Sequence, residues 1–244
     1  MLMSDLTSAE ARAYPRLLSL AVHEFRTPAS VVSGYLRMLQ SGVGGTLSDS
    51  QRKMIEEAEK SAARMAALIA ELSEIGKLDG GTAALSQTDF DLFQLIHDVA
   101  HDMHEAEDRD VRLELRGASA GAPITGDRPR LSTAFSMFFR AVLREQPGGT
   151  VVVADRRRPG SGQEPHAVIL IASAESVQEA YDAHPGPFDE HRGGLGLGLP
   201  LARRVVERHG GRVWTPAGGA VGEAGAAIRA GIVVSLPVQP DTQE

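Results

Sequence analysis

The sequence predicts an all-α helical hairpin, a four-helix bundle once two copies meet, followed by an α+β sandwich. Two stretches within residues 8–80 carry apolar side chains at helical spacing around a glycine-rich break. Beyond Gly81, strand-like alternation and helix-like periodicity take turns, and 42% hydrophobic residues in 244 suffice for a second core.

From about Ser8 to Ser41 the apolar positions Leu17, Leu20, Ala21, Phe25, Val31, Val32, Tyr35, Leu36 and Leu39 lie on one helical stripe. Gly42 to Leu47 is the break. Ser48 is placed to cap the next helix, with Gln51 three residues on completing a capping box. The second helix runs through Met54, Ile55, Ala58, Ala62, Met65, Leu68, Ile69, Leu72 and Ile75 and stops near Gly80-Gly81. Its pattern is close to heptads. A lone antiparallel hairpin cannot cover both stripes, so a homodimer is expected.

The texture changes after Gly81. Asp91 to Met103 is amphipathic, and Val111-Arg112-Leu113-Glu114-Leu115 alternates as a half-buried strand does. A helix is expected over Pro129–Glu145, strands over Thr150–Ala154 and Ala167–Ala172, a helix over Leu197–His209 and a last strand over Gly231–Leu236. This order suggests helices on one face of a sheet. The boundary belongs near residues 80–86, giving domains at 8–82 and 86–238.

Composition removes several functions. A net charge of −7 argues against a general nucleic-acid binder, which needs a basic surface to release counterions. The basic run Arg156-Arg157-Arg158 precedes Pro159-Gly160-Ser161-Gly162 and reads as a solvated hairpin loop. Without cysteine there is no disulfide, thiolate nucleophile or zinc-thiolate site. No apolar run approaches the ~20 residues that span a bilayer, and the amino terminus lacks the layout of a signal peptide. A cytoplasmic protein with no membrane segment is expected. Arginine outnumbers lysine 22 to 3 and asparagine is absent, a bias that suggests a GC-rich coding sequence.

Chemistry concentrates at Leu20-Ala21-Val22-His23-Glu24-Phe25-Arg26-Thr27-Pro28, in mid-helix. His23 offers an imidazole nitrogen as nucleophile, and Glu24 beside it is placed to accept or orient the ring proton. Thr27 falls on the same face one turn later, where a hydroxyl can position a water. Pro28 deletes a backbone hydrogen bond and is expected to bend the helix. The string His-Glu-Phe-Arg-Thr-Pro resembles the phospho-acceptor box of two-component sensor histidine kinases, in the first helix of a hairpin as in that family. The exit Leu72-Ser73-Glu74-Ile75-Gly76-Lys77-Leu78-Asp79-Gly80-Gly81 is similar to the end of the family's second helix. The resemblance makes His23 the phospho-acceptor, Glu24 a helper in phosphoryl transfer, and Glu24 with Thr27 the pair that serves phosphatase activity toward a response-regulator receiver domain.

Further on, Gly193-Gly194-Leu195-Gly196-Leu197-Gly198-Leu199 opens a helix. Glycines let backbone approach a phosphate, and a helix start supplies amide donors. This resembles the second glycine box of the histidine-kinase ATP-binding domain, and assigns nucleotide contacts to Gly194, Leu195, Gly196, Leu197, Gly198 and Leu199. Phe188, His209-Gly210-Gly211, Val213-Trp214 and Ser235-Leu236-Pro237 extend the likeness, which covers about residues 10–237. It implies a sandwich of the histidine-kinase ATPase type, with ATP and Mg2+ as cofactors.

The chain departs from that pattern at two places. Aligning Asp127-Arg128-Pro129-Arg130-Leu131 with the start of the asparagine box puts Ala141 where the magnesium-holding asparagine belongs. After Ala167–Ala172 comes Ser173-Ala174-Glu175-Ser176-Val177, without the adenine-binding aspartate or its glycines. The nearest carboxylate is Glu175, and Glu145 is a substitute candidate for the metal. Phosphoryl transfer from ATP depends on a metal that offsets phosphate charge, so these positions matter. Three functions suit the sequence: an autophosphorylating kinase, an ATP-independent histidine phosphotransferase or phosphatase, and a non-catalytic dimeric scaffold.

Overall fold

The computed structural model describes residues 2–158, 165–217 and 231–240. Its contacts divide the chain into two units, Met1–Ala83 and Ala84–Glu244.

The amino-terminal unit is a hairpin of α1 (Leu2–Gln40) and α2 (Asp49–Asp79). Ser48 and Gln51 close the box at the start of α2. The Gln51 amide donates to Ser48 Oγ at 3.3 Å, and the Ser48 amide donates to Gln51 Oε1 at 2.9 Å. Val22 and Ala29, seven residues apart on α1, pack with Ile69 and Leu72 of α2. Gly76 lets the helices come close, since a Cβ there would lie 3.1 Å from Leu18 Cδ2. A large apolar face stays uncovered on the single hairpin: Leu17, Leu20, Phe25, Val31, Val32, Tyr35, Met38, Leu39, Met54 and Met65 are all exposed.

The carboxyl-terminal unit is built on a six-stranded sheet ordered β2-β4-β5-β8-β7-β6. The strands are β2 (Arg112–Gly117), β4 (Val151–Arg157), β5 (His166–Ser173), β6 (His184–Gly186), β7 (Arg212–Ala217) and β8 (Ile232–Pro237). Only β2 and β4 pair in parallel among these. A separate antiparallel pair joins β1 (Thr88–Asp91) to β3 (Pro123–Gly126). The helices are α3 (Leu92–His101), α4 (Arg128–Glu145), α5 (Val177–Asp182) and α6 (Gly198–Arg208).

Alternation along the strands sends residues to two opposite faces. Val153, Leu170, Ala172 and Val233 form one face and meet Val177 and Ala180 of α5. Ala154, Ile169, Ile171 and Val234 alternate to the other face and are fully buried, and α4 contacts β5. The sheet therefore carries helices on both faces, not one, because the six-residue α5 covers the second. Its single turn has no periodicity to read from sequence.

The basic run is not a solvated loop. Arg156 lies at the end of β4 and is 4% exposed. Its guanidinium donates to the Phe93 carbonyl at 3.2 Å and the Arg116 carbonyl at 3.3 Å. Burial pushes its pKa down from the ordinary range, opposed by the Asp155 and Asp91 carboxylates. Arg157, on the other face, lies 3.7 Å over the Tyr181 ring and pairs with Asp155. Alternation explains the split: neighbours in a strand point to opposite faces, so a cluster in sequence is dispersed in space. Residues 159–162, the expected turn, lie outside the described residues.

Candidate phospho-acceptor strip and glycine loop

Val22 turns inward to α2, so the next residue, about 100° round the helix, turns outward. His23 is exposed, and Glu24 and Thr27 are exposed with it. Thr27 stands one turn beyond His23 on α1. Helix α1 continues through Pro28 to Gln40. The strip is thus held by a packed stripe beneath it and presented to solvent.

The glycine loop is built differently. A short 3-10 turn, Arg192–Gly194, precedes α6 and contains Gly193 at φ 67°. Gly194 and Gly196 also have positive φ, 61° and 63°, values that side chains with a Cβ rarely adopt. Here the loop lies directly on α4. A Cβ on Gly193 would stand 2.7 Å from Ala141 Cα, and one on Gly198 would stand 2.9 Å from Met137 Sδ. Leu197 precedes α6 without side-chain capping, while Leu195 is half-buried and Leu199 fully buried in the core.

Three contacts pin the segment before the loop. Phe188 meets Phe138 of α4 edge-on, with ring centroids 6.0 Å apart. Glu190 accepts from Arg203 of α6 at 2.8 Å. Arg192, 6% exposed, donates to Glu145 through Nε at 3.1 Å and again through its second terminal nitrogen, and to the Gly231 carbonyl at 2.9 Å. The other Glu145 oxygen accepts the Gly193 amide at 3.0 Å. In the sequence Glu145 stands out only as a possible metal ligand, and nothing singles out Arg192. Their charges are opposite, but they stand 47 residues apart in a chain with 25 Lys and Arg and 32 Asp and Glu.

The start of α4 is tied to the end of α6. Asp127 caps α4, accepting the Arg130 amide at 3.0 Å and the Ser86 amide at 3.0 Å, with the Arg130 guanidinium alongside. Burial works to raise the Asp127 pKa, but the Ser86 and Arg130 bonds together outweigh it and hold the carboxyl below its usual range. The Asp127 amide donates to His209 Nε2 at 2.9 Å, which leaves the His209 Nδ1 hydrogen for the Val205 carbonyl at 2.7 Å.

Residues 16–81 match the His Kinase A (phospho-acceptor) domain. The chain is 27% identical over 206 residues to the sensor-like histidine kinase SenX3 of Mycobacterium tuberculosis, covering 80% of this chain and 49% of SenX3. The fold is similar to that of full-length ShkA solved in complex with AMPPNP, with a TM-score of 0.66 and 21% identity over 94% of this chain and 47% of ShkA. It is also similar to the histidine kinase ThkA solved in complex with the response regulator protein TrrA, with a TM-score of 0.54 and 16% identity over 93% of this chain and 63% of that one. Residues 16–81 thus carry a phospho-acceptor domain, and the likeness to sensor histidine kinases extends over most of the chain. The chain spans about half the length of the SenX3 relative it matches.

The likeness to histidine kinases implies ATP and Mg2+, and the residues under the glycine loop do not fit them. Ala141 presents a methyl group against the Gly193 backbone, with no oxygen for a cation. Glu145, the nearest carboxylate along α4, has both oxygens taken by Arg192 and the Gly193 amide. Glu175 is exposed on the turn before α5, so no buried carboxylate there reads a base. Among the described residues no group of three His, Cys, Asp or Glu side chains is arranged to hold a metal.

Proposed function

We propose that this chain is the phosphotransfer core of a sensor histidine kinase, in which His23 carries a phosphoryl group exchanged with a response-regulator aspartate. The observation that carries the reading is the exposed His23, with Glu24 beside it and Thr27 one turn along, on a helix anchored through Val22 and Ala29. Exposure suits a transfer that requires a second protein's carboxylate to come in line with the imidazole.

In the forward step the receiver carboxylate attacks phosphorus. The N–P bond breaks, the ring nitrogen keeps the electron pair, and an O–P bond forms on the aspartate. Glu24 orients the ring and handles its proton. In the hydrolytic step Thr27 accepts a hydrogen bond from water and directs it at the aspartyl phosphate. No step runs through ATP or Mg2+, because the loop face does not fit them. ThkA was solved with a response regulator, which supports a receiver domain as partner.

The exposed apolar face of the hairpin supports a homodimer closing a four-helix bundle. A net charge of −7 suits no nucleic-acid role. No helix among the described residues is long and apolar enough to cross a membrane, and the cysteine-free sequence suits the cytoplasm.

The test uses receiver domains phosphorylated in advance and mixed with the full chain. Wild type takes up acid-labile, base-stable phosphate, and His23→Ala takes up none. Equal labelling of both proteins would remove His23 from the mechanism. Thr27→Ala keeps the labelling and slows receiver dephosphorylation by about 10-fold or more, the size expected for losing a positioned water.

A further inference from the structure

We infer that the glycine loop of this chain does not take Mg2+-ATP, and that His23 instead receives its phosphoryl group from an acyl phosphate, the aspartyl phosphate of a receiver domain. The inference rests on the proposed exchange at His23 and names its donor.

The face of α4 below the loop is filled by the chain itself. Going along that face, Met137 lies under Gly198, Phe138 against Phe188, Ala141 under Gly193, and Glu145 under Arg192. These residues recur at three- and four-residue spacing, so they form one continuous strip of helix surface. The segment leading from Phe188 into α6 lies along this strip in van der Waals contact. A Cβ at Gly193 would already overlap α4 backbone at 2.7 Å, so at this point loop and helix touch and a phosphate cannot lie between them.

Two polar groups at the head of the loop, the Gly193 amide and the Arg192 guanidinium, are also occupied. A phosphate cradle needs amide hydrogens turned toward the anion. The Gly193 amide is turned to Glu145 instead, and a carboxylate placed there repels a phosphate. Arg192, the cation nearest the loop, could otherwise answer a phosphate, but its guanidinium is buried and divided between Glu145 and the Gly231 carbonyl. Opening the strip for ATP would break the Arg192–Glu145 pair, leaving a buried arginine unpaired and a carboxylate facing the phosphates.

Exchange with an acyl phosphate needs none of these groups. An imidazole nitrogen of His23 attacks the phosphorus of the aspartyl phosphate, and an N–P bond forms. The O–P bond breaks with its electron pair returning to the aspartate as carboxylate, and the ring proton leaves through Glu24 to solvent. The donor's own free energy of hydrolysis drives the step, so no nucleotide is consumed by this chain.

Two measurements on the full chain test the inference. In the first, wild-type protein that unfolds cooperatively on heating is titrated calorimetrically with ATP, with and without Mg2+. The expected result is no saturable heat up to millimolar nucleotide. Saturable binding that strengthens with Mg2+ overturns the inference. In the second, His23 is offered γ-labelled ATP with Mg2+ in one tube and a labelled phospho-receiver in another. Label from the receiver alone supports the inference, and acid-labile label on His23 from ATP overturns it. If neither donor labels His23, the exchange function fails, while the titration still judges the loop separately. Arg192→Ala serves as a check on the latch: it lowers the thermal midpoint and still binds no Mg2+-ATP. An unchanged midpoint would show that this pair does not hold the strip closed, and Mg2+-dependent binding gained by the variant would show a usable site behind the arginine; either overturns the proposal.

Discussion

Asp127 shows how one side chain can carry a junction. It is buried, yet it accepts from the Ser86 and Arg130 amides and from the Arg130 guanidinium. Its carboxyl is therefore held ionised below the ordinary aspartate range. A depressed folded-state pKa adds stability above the unfolded value of about 3.9 and loses it as pH falls through the folded value. Asp127→Asn is expected to destabilise the carboxyl-terminal unit by about 1–3 kcal/mol near neutral pH, as expected for weakened bonds to a charged group. Trp214 of β7 is the single tryptophan and reports that unit's urea transition. The gap between wild type and variant closes as the pH drops below about 4. A gap that widens there would mean that the charge on Asp127 is not what stabilises the junction. Arg130 is three residues on, but the Ser86 amide lies 41 residues away and no local signal points to it.

At the level of elements, local chemistry was readable where it was local. Ser48 and Gln51 are three residues apart, and both reciprocal bonds are present. Ser48→Ala should cost about 1 kcal/mol, the ordinary worth of an N-cap side chain, measured by thermal unfolding followed at 222 nm. The amphipathic segment expected from Asp91 is α3, with Asp91 as its cap, accepting the Phe93 amide at 2.8 Å and the Gln94 amide at 3.2 Å. The helix expected over Pro129–Glu145 spans Arg128–Glu145, with proline in its first turn where a missing amide hydrogen costs nothing. The short elements were not readable. Strands β1 and β3 have four residues each and β6 has three, too few to show a period, and they exist only because pairing partners reach them.

For the whole molecule, the amino-terminal hairpin is informative because it is incomplete. Tyr35 is 64% exposed and Leu20 59%, on a helix whose inward stripe is narrow. Such a face is stable in water only when covered, and a second copy offers the same stripe in the right geometry. Tyr35→Glu together with Leu20→Glu is expected to convert a dimer to a monomer, read as halved mass by light scattering during gel filtration. A double variant that remains dimeric would place the interface elsewhere. His23 falls between these positions in sequence, so under the proposed function the same helix would serve both assembly and exchange.

The sequence by itself determined the helical hairpin, its capped turn, the alternation of strands and helices beyond Gly81, and the string from His23 to Pro28. Each is written within a few neighbouring residues, where periodicity and side-chain chemistry act directly. Only the tertiary structure decided that Arg156 is buried while Arg157 stacks on Tyr181, that α5 covers the second face of the sheet, and that Arg192 and Glu145 close the strip beneath the glycine loop. Those outcomes depend on which distant groups meet. An ion pair across 47 residues is fixed by packing, because burial makes an unpaired charge too costly to leave and local sequence carries no record of the partner.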